Sequence, residues 1–444
     1  MSEHDFSRCR EVVDQFGNRH QLATELARGG QGVVYRTGDP DLAIKQPLGA
    51  DGAVRLNMDM RSRFQNVLCL PIPSRIPIAL PLAVLRDEPG YVMRLLADME
   101  PFSEFELSGQ MQTEMAKLQV PKWLAGVPDK RAMLRLMHYA GSGSTKRRLL
   151  TLAKCAGVLA RLHAAGIVYG DVSPRNCFMS RVDSREVWLI DADNLRFERH
   201  RGGETVYTPR YGAPEVVQAV DQSRPRTDAW AFTVMAFEAL TLLHPFVGGK
   251  VLAVDELNDG WDAKNITTSL PENLEEQAYA GLMPYVDDPD DSSNCAIGGL
   301  PRDLVLSSQL VSLFQETLGI GRTQPWRRTS LAYWALELAR AHDRSVVCPK
   351  CSMSYFLQHN TCPYCGKSKP SLVLAKTSRW EIVMQFSATG FALPHRLLNP
   401  FSLDLTGDAN YLVSIDLKHK TVSHARGTSP IPTEITFEFL GEGE

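Results

Sequence analysis

The sequence predicts an α+β fold, and three observations carry the prediction. Residues 11 to 46 alternate with the period of two typical of short strands, the middle of the chain spaces its apolar residues as helices do, and alternating Val, Ile, Phe and Leu segments return after residue 344. No internal repeat is apparent.

Each element has a local reason. Turns at Gly17-Asn18, Arg28 to Gly32 and Gly38-Asp39-Pro40 divide the first region into a small antiparallel sheet. From about 146 to 164, Leu149, Leu150, Leu152, Ala153, Val158, Leu159 and Leu162 fall at helical spacing in a Leu- and Ala-rich segment, and a second helix is expected at about 227 to 242. Between 247 and 325, helical patches near 273 to 282 and 302 to 317 are interrupted by Gly, Pro and acidic loops. The tail reads as strands at Trp380 to Phe386, Tyr411 to Leu417 and Glu434 to Phe439.

Composition excludes several classes. With 444 residues, two to three domains are expected, and a chain this long buries a core without disulfides. Its 48 basic and 51 acidic residues leave a net charge of −3, which argues against a nucleic-acid binder. The N-terminal Met1-Ser2-Glu3-His4-Asp5 lacks the basic-then-apolar order of a secretion signal, and the most apolar run, Ile76 to Leu85, is short and holds two prolines. A cytoplasmic protein without a membrane partner is expected. Nine cysteines, four of them in two tight pairs, fit a reducing compartment with one metal site better than a disulfide framework.

Two features point to phosphate. The segment Leu26-Ala27-Arg28-Gly29-Gly30-Gln31-Gly32-Val33-Val34 lies between predicted strands, where glycines let backbone N–H groups approach phosphate oxygens; read alone it is equally a tight hairpin turn. Thirteen positions after Gly32 comes Lys45, closing the strand-like Leu42-Ala43-Ile44-Lys45. A lysine on a buried strand needs an anion to meet it.

The segment from Leu162 to Asn176, with Tyr169-Gly170-Asp171-Val172-Ser173-Pro174-Arg175-Asn176 at its end, resembles the catalytic loop of eukaryotic-like Ser/Thr protein kinases. Fifteen residues on, Val187-Trp188-Leu189-Ile190-Asp191 is a strand ending in a carboxylate, where that family keeps its magnesium aspartate. Thr208-Pro209-Arg210-Tyr211-Gly212-Ala213-Pro214-Glu215 and Thr227-Asp228-Ala229-Trp230 fit the family's next two segments in order.

The resemblance covers about residues 10 to 343 and implies a two-lobed kinase-like fold, with a β-rich lobe over 1–95 and a mainly helical lobe over 96–343. It further implies Mg·ATP (or Mn·ATP) as cofactor and a Ser/Thr-bearing protein as substrate, with autophosphorylation. Lys45 would pair the phosphates, Asp171 act as base, and Asn176 and Asp191 hold the metal. Ala27, Gly29, Gly32, Val34, Ala43 and Met93 would line the nucleotide, Met93 preceding the hinge that bonds adenine. Thr208 would contact Asp171, and Glu215 would pair with Arg327 of Trp326-Arg327-Arg328-Thr329.

Departures from the pattern set further expectations. Tyr169-Gly170-Asp171 lacks the arginine that reads an activation-segment phosphate, so such phosphorylation is not required. Asp191-Ala192-Asp193 replaces Asp-Phe-Gly, and Ser173 replaces a lysine whose charge Arg175 is placed to supply. Residues 46 to 86 contain no glutamate to pair with Lys45; Asp59, on a helix read at about 52 to 66, is the nearest candidate, and the partner is left open. These departures keep a second reading in view, a pseudokinase scaffold that binds nucleotide and recruits partners.

Cys348-Pro349-Lys350-Cys351 and Cys362-Pro363-Tyr364-Cys365-Gly366, ten residues apart, form two knuckles whose thiolates complete an S₄ site for structural Zn²⁺. A ribbon over 344–370 is too small to fold on apolar burial, and zinc binding of roughly 10–16 kcal/mol supplies the deficit. His359 reads as a surface residue. Residues 371–444 form a β-rich interaction domain, a small sandwich or barrel able to bind a partner protein. The basic stretch Lys122, Lys130, Arg131, Arg135, Lys146, Arg147 and Arg148, and the acidic loop Asp287, Asp288, Asp290 and Asp291, read as solvated surface.

Overall fold

The computed structural model describes residues 10–29, 32–49, 51–54, 59–74, 76–115, 117–181, 186–198, 207–252, 273–385, 391–394, 409–416, 421–424 and 435–440. Its N-terminal part is a five-stranded antiparallel sheet of β1 (Glu25–Arg28), β2 (Gly32–Arg36), β3 (Leu42–Pro47), β4 (Pro81–Val84) and β5 (Tyr91–Arg94), in the order β1-β2-β3-β5-β4. β-Branched and aromatic residues at alternate positions give this sheet two apolar faces. Val12, Leu22, Ile44 and Val92 pack on one; Ala43, Val84, Tyr91 and Met93 pack on the other against Phe64 of helix α1 (Asp59–Leu68). The helix expected at about 52 to 66 therefore begins later than its sequence reading.

The central part is helical. Helix α2 (Ser144–Ala164) buries Leu149, Leu152, Ala156, Leu159 and Leu162. Helix α3 (Pro225–Thr241) starts with proline at its first turn, where no N–H is needed, and is buried along nearly its whole length. Helix α4 (Leu331–Asp343) lies along α2, presenting Ala335, Leu338 and Ala339 with Trp334 fully buried. Small residues at this contact let the two helix axes approach closely.

A short hairpin follows, β6 (Ser345–Val347) paired with β7 (Ser354–Phe356), with Cys348 and Cys351 in its loop and Cys362 and Cys365 after it. The tail then forms an antiparallel sheet with β8 (Leu372–Lys376) between β9 (Glu381–Gln385) and β10 (Thr436–Leu440). A second sheet joins Phe391–Pro394, Ala409–Asp416 and Thr421–His424. One apolar core runs from α2 and α3 through Val346, Tyr355 and Phe356 to Leu372, Leu374 and Ile382. Trp380 anchors the tail by donating its indole N–H to Asp343 Oδ2 at 2.6 Å.

The basic stretch departs from its sequence reading at its C-terminal end. Arg148 is fully buried, its guanidinium 3.9 Å from the Tyr139 ring centre and 4.7 Å from that of Phe105, and it donates to the carbonyls of Tyr139 and Ser144 and to Ser142 Oγ. Burial pushes its pKa down to about 10, against a nearby Tyr139. Arg147 pairs with Glu100 at 2.6 Å, and Lys146 donates to the Ser345 carbonyl. In the acidic loop, Asp287 pairs with Arg302 at 2.7 Å, and Asp291 accepts from the Ser293 N–H.

Candidate active site

The candidate site is built from the sheet, the loop after α2 and the strand ending at Asp191. Strand register places Val34 opposite Lys45 and Ala43 opposite Met93. Val34, Ala43 and Met93 join one apolar cluster, the surface a flat heteroaromatic ring would need. Ala27 faces Val34 across β1 and β2. Gly32 admits no side chain, since a Cβ there would lie 2.9 Å from the Gln46 carbonyl oxygen and 3.0 Å from Lys45 Cε. Gly29 sits at the turn, donating to the Gly32 carbonyl at 2.9 Å. Gly30 and Gln31 lie outside the described residues.

Lys45 is almost fully buried, with Nζ 2.9 Å from Asp191 Oδ1 and 2.8 Å from Asp193 Oδ2. Burial alone would depress its pKa; the Asp193 and Asp191 carboxylates outweigh burial and hold it above the usual ammonium range. The partner sought for Lys45 on α1 thus comes from the segment after Asp191, while the side chain of Asp59 lies outside the described residues. What α1 contributes instead is a cation: Arg63 donates to the Asp193 carbonyl at 2.9 Å and to Asn194 Oδ1.

The loop after α2 is held from below. Asp228, at the start of α3, accepts from the Tyr169 N–H at 2.8 Å through Oδ2 and from the Gly170 N–H at 2.9 Å through Oδ1, and His163 Nε2 lies 3.0 Å from the same Oδ2. Gly170 has φ +84°, so the turn before Asp171 favours glycine where the resembled family carries arginine. Asp171 is buried and doubly fixed: Thr208 donates to Oδ1 at 2.6 Å and Asn176 donates to Oδ2 at 2.9 Å. Burial raises its pKa above the ordinary carboxylate value, opposed by the Thr208 hydroxyl.

Asn176 and Asp191 are brought together by a backbone bond from Ile190 N–H to the Asn176 carbonyl at 3.0 Å. Asn176 spends its side-chain amide N–H groups on Asp171, which leaves its side-chain Oδ1 for a cation. That oxygen and the Asp191 carboxylate are the hard donors Mg²⁺ takes, so the residues fit the metal. Ser173 Oγ is buried without a hydrogen-bond partner among the described residues, and Arg175 is exposed.

Glu215 accepts two hydrogen bonds from Arg328, at 2.7 and 2.9 Å. The expected partner, Arg327, instead pairs with Glu316 at the surface. The cause is local geometry: the chain leaves the 3-10 turn Pro325–Arg327 at Arg328 in an extended conformation, and the Arg328 guanidinium lies over the Trp230 ring at 4.7 Å. Residues 199–206, within the expected activation segment, lie outside the described residues.

The four cysteine sulfurs of Cys348, Cys351, Cys362 and Cys365 all lie within 4.8 Å of one another, and two pairs approach to 3.5 and 3.6 Å. A tetrahedral Zn–S distance of about 2.3 Å requires S···S edges of about 3.8 Å, so the set fits Zn²⁺. His359 is not part of this cluster.

Residues 130–318 match the protein kinase domain family. The chain is 24% identical over 264 residues to the serine/threonine-protein kinase PknA of Mycobacterium tuberculosis (strain ATCC 25618 / H37Rv), covering 58% of this chain and 55% of PknA. It is 26% identical over 247 residues to PknD of the same strain, covering 53% of this chain and 31% of PknD. The chain thus spans about half or less of the length of these relatives. Fold, site and comparisons define a protein of the protein kinase fold class. More narrowly, the matched part is similar to bacterial, eukaryotic-like Ser/Thr protein kinases, and a four-cysteine cluster that fits a zinc ribbon follows it. Among the described residues no helix is long and apolar enough to cross a membrane.

Proposed function

We propose that the chain transfers the γ-phosphoryl group of Mg·ATP to Ser or Thr hydroxyls of a protein substrate, itself included. The observation that carries this reading is Asp171, a buried carboxylate fixed by Thr208 and Asn176 beside a second carboxylate, Asp191, that is ion-paired to Lys45. Lys45 would neutralise the phosphates as charge develops, and Asn176 and Asp191 would hold the cation. When bound, Mg²⁺ neutralises the β- and γ-phosphate oxygens. Asp171 would accept the proton of the attacking hydroxyl as its oxygen bonds to the γ-phosphorus, and the bond from that phosphorus to the bridging oxygen of ADP breaks. Ala27, Gly29, Gly32, Val34, Ala43 and Met93 would enclose the nucleotide.

In this reading residues 1–95 and 96–343 are the two lobes, 344–370 the ribbon and 371–444 a partner-binding domain of a cytoplasmic kinase. Transfer of labelled phosphate from Mg·ATP to the protein and to a generic basic protein tests it. Label on Ser or Thr that disappears in Asp171→Ala and Asp191→Asn supports the reading. Nucleotide binding with no transfer would instead favour a pseudokinase scaffold.

A further inference from the structure

We propose that Asp193 is the positioning residue for Lys45, taking from the metal-binding segment itself a task that α1 has no glutamate to perform. The inference rests on the kinase reading above. Both Asp191 and Asp193 reach the Lys45 ammonium, but they are held differently. The Asp191 side chain is 25% exposed. The Asp193 side chain is 10% exposed, and its second oxygen accepts from the Tyr91 hydroxyl at 2.6 Å. Its backbone carbonyl accepts from Arg63, which also bonds the neighbouring Asn194. Asp193 is thus pinned through both carboxylate oxygens and its main chain by groups from β3, β5 and α1.

A chemical division of labour follows. A Mg²⁺ ion in the site would need a carboxylate, and Asp191, the more exposed of the two and without the second clamp that Tyr91 gives Asp193, is the one placed to supply it. Asp193 cannot follow, because Tyr91 and Lys45 occupy its two oxygens. Lys45 therefore keeps a counter-ion, and keeps its place for the phosphates, after Asp191 is given to the metal. Remove Asp193 and a single carboxylate must serve both cations, so Lys45 competes with Mg²⁺ for Asp191. Asp193 sits in a single 3-10 turn, Ala192–Asn194, with Asp191 as its N-cap, so the lysine-holding and metal-holding carboxylates are set side by side on one short stretch of backbone.

The test is a Mg²⁺ titration of ATP binding, read by calorimetry on the full chain, beside the transfer assay. Asp193→Asn is expected to raise the Mg²⁺ concentration for half-maximal binding about fivefold or more, the equivalent of one lost ion pair, and Asp193→Glu to restore it to within about twofold. Tyr91→Phe, which removes one hydroxyl and keeps the ring, is expected to move it the same way by about twofold, and decides the matter if Asp193→Asn does not fold. An unchanged Mg²⁺ requirement in the folded variants overturns the role of Asp193. Mg·ATP binding without transfer by the wild-type chain would defeat the kinase reading alone, because the titration still decides the role of Asp193. A wild-type chain that binds no Mg·ATP defeats both.

Discussion

The hydroxyl of Ser354, in the hairpin whose loop carries Cys348 and Cys351, lies 3.1 Å from the hydroxyl of Ser144 at the head of α2. Ser354 also accepts from the Lys146 N–H at 2.7 Å, while its own N–H donates to Ser144 Oγ at 2.9 Å. The first turn of a helix has unsatisfied N–H groups, and here a residue far along the chain supplies the cap. The entry is otherwise unfavourable, with Gly143 at φ +91° and Ser144 at φ +58°. Ser354→Ala is expected to lower the unfolding free energy by about 1–2 kcal/mol in urea, with Ser354→Thr recovering part of it. A change within experimental error would show that water caps the helix equally well.

The same contact makes the metal site part of the catalytic body's stability. Val346, Tyr355 and Phe356 share the core that holds α2 and α3, so the ribbon cannot unfold without exposing that core. Chelation of Zn²⁺, or Cys362→Ser, is expected to lower the melting temperature of the chain through a single shared transition. Two separated transitions, with the one at higher temperature unmoved by chelator, would show that the ribbon is an independent appendage.

Much of the site was legible because its chemistry fixes residue type and spacing together. Lys45, Asp171, Asn176 and Asp191 are met in order along the chain, and the structure links them through the Lys45–Asp191 ion pair, the Asn176–Asp171 hydrogen bond and the backbone bond from Ile190 to Asn176. Two features were not read because they depend on how side chains turn. Arg327 and Arg328 are chemically equivalent in the sequence, and only the end of the Pro325–Arg327 turn decides which faces Glu215. Asp193 replaces a glycine of the resembled pattern and so looked like a loss; the clue was a buried lysine with no glutamate over 46 to 86 and a second aspartate two residues after the first. Arg148 carried a signal as well, since it stands four residues before Leu152 and one before Leu149, inside the apolar stripe of α2.

The Arg328–Glu215 pair is a stability element, with both side chains largely withdrawn from water and the guanidinium also donating to the carbonyls of Gly321 and Arg226. Removing one partner strands the other charge. Arg328→Ala and Glu215→Ala are each expected to destabilise the chain by about 3–5 kcal/mol, measured by chemical denaturation. Arg327→Ala, at the surface, is expected to cost less than about 1 kcal/mol. Equal effects of the two arginine substitutions would contradict the assignment of Arg328 as the buried partner.

Thr208 sets the acid limit of the proposed reaction. Asp171 acts as a base only when ionised; burial raises its pKa, and the Thr208 hydroxyl at 2.6 Å opposes that rise by stabilising the carboxylate. Thr208→Val removes the hydrogen bond and keeps the branched shape, so the Asp171 pKa rises further. As pH falls, the variant protonates its base first, and the acid limb of kcat shifts to higher pH while the plateau above it changes less. A kcat profile recorded from about pH 5 to 8 at saturating Mg·ATP reads the shift directly. An acid limb that stays in place in Thr208→Val, with wild-type activity retained, would mean that Thr208 does not tune Asp171 and that another group limits transfer at low pH.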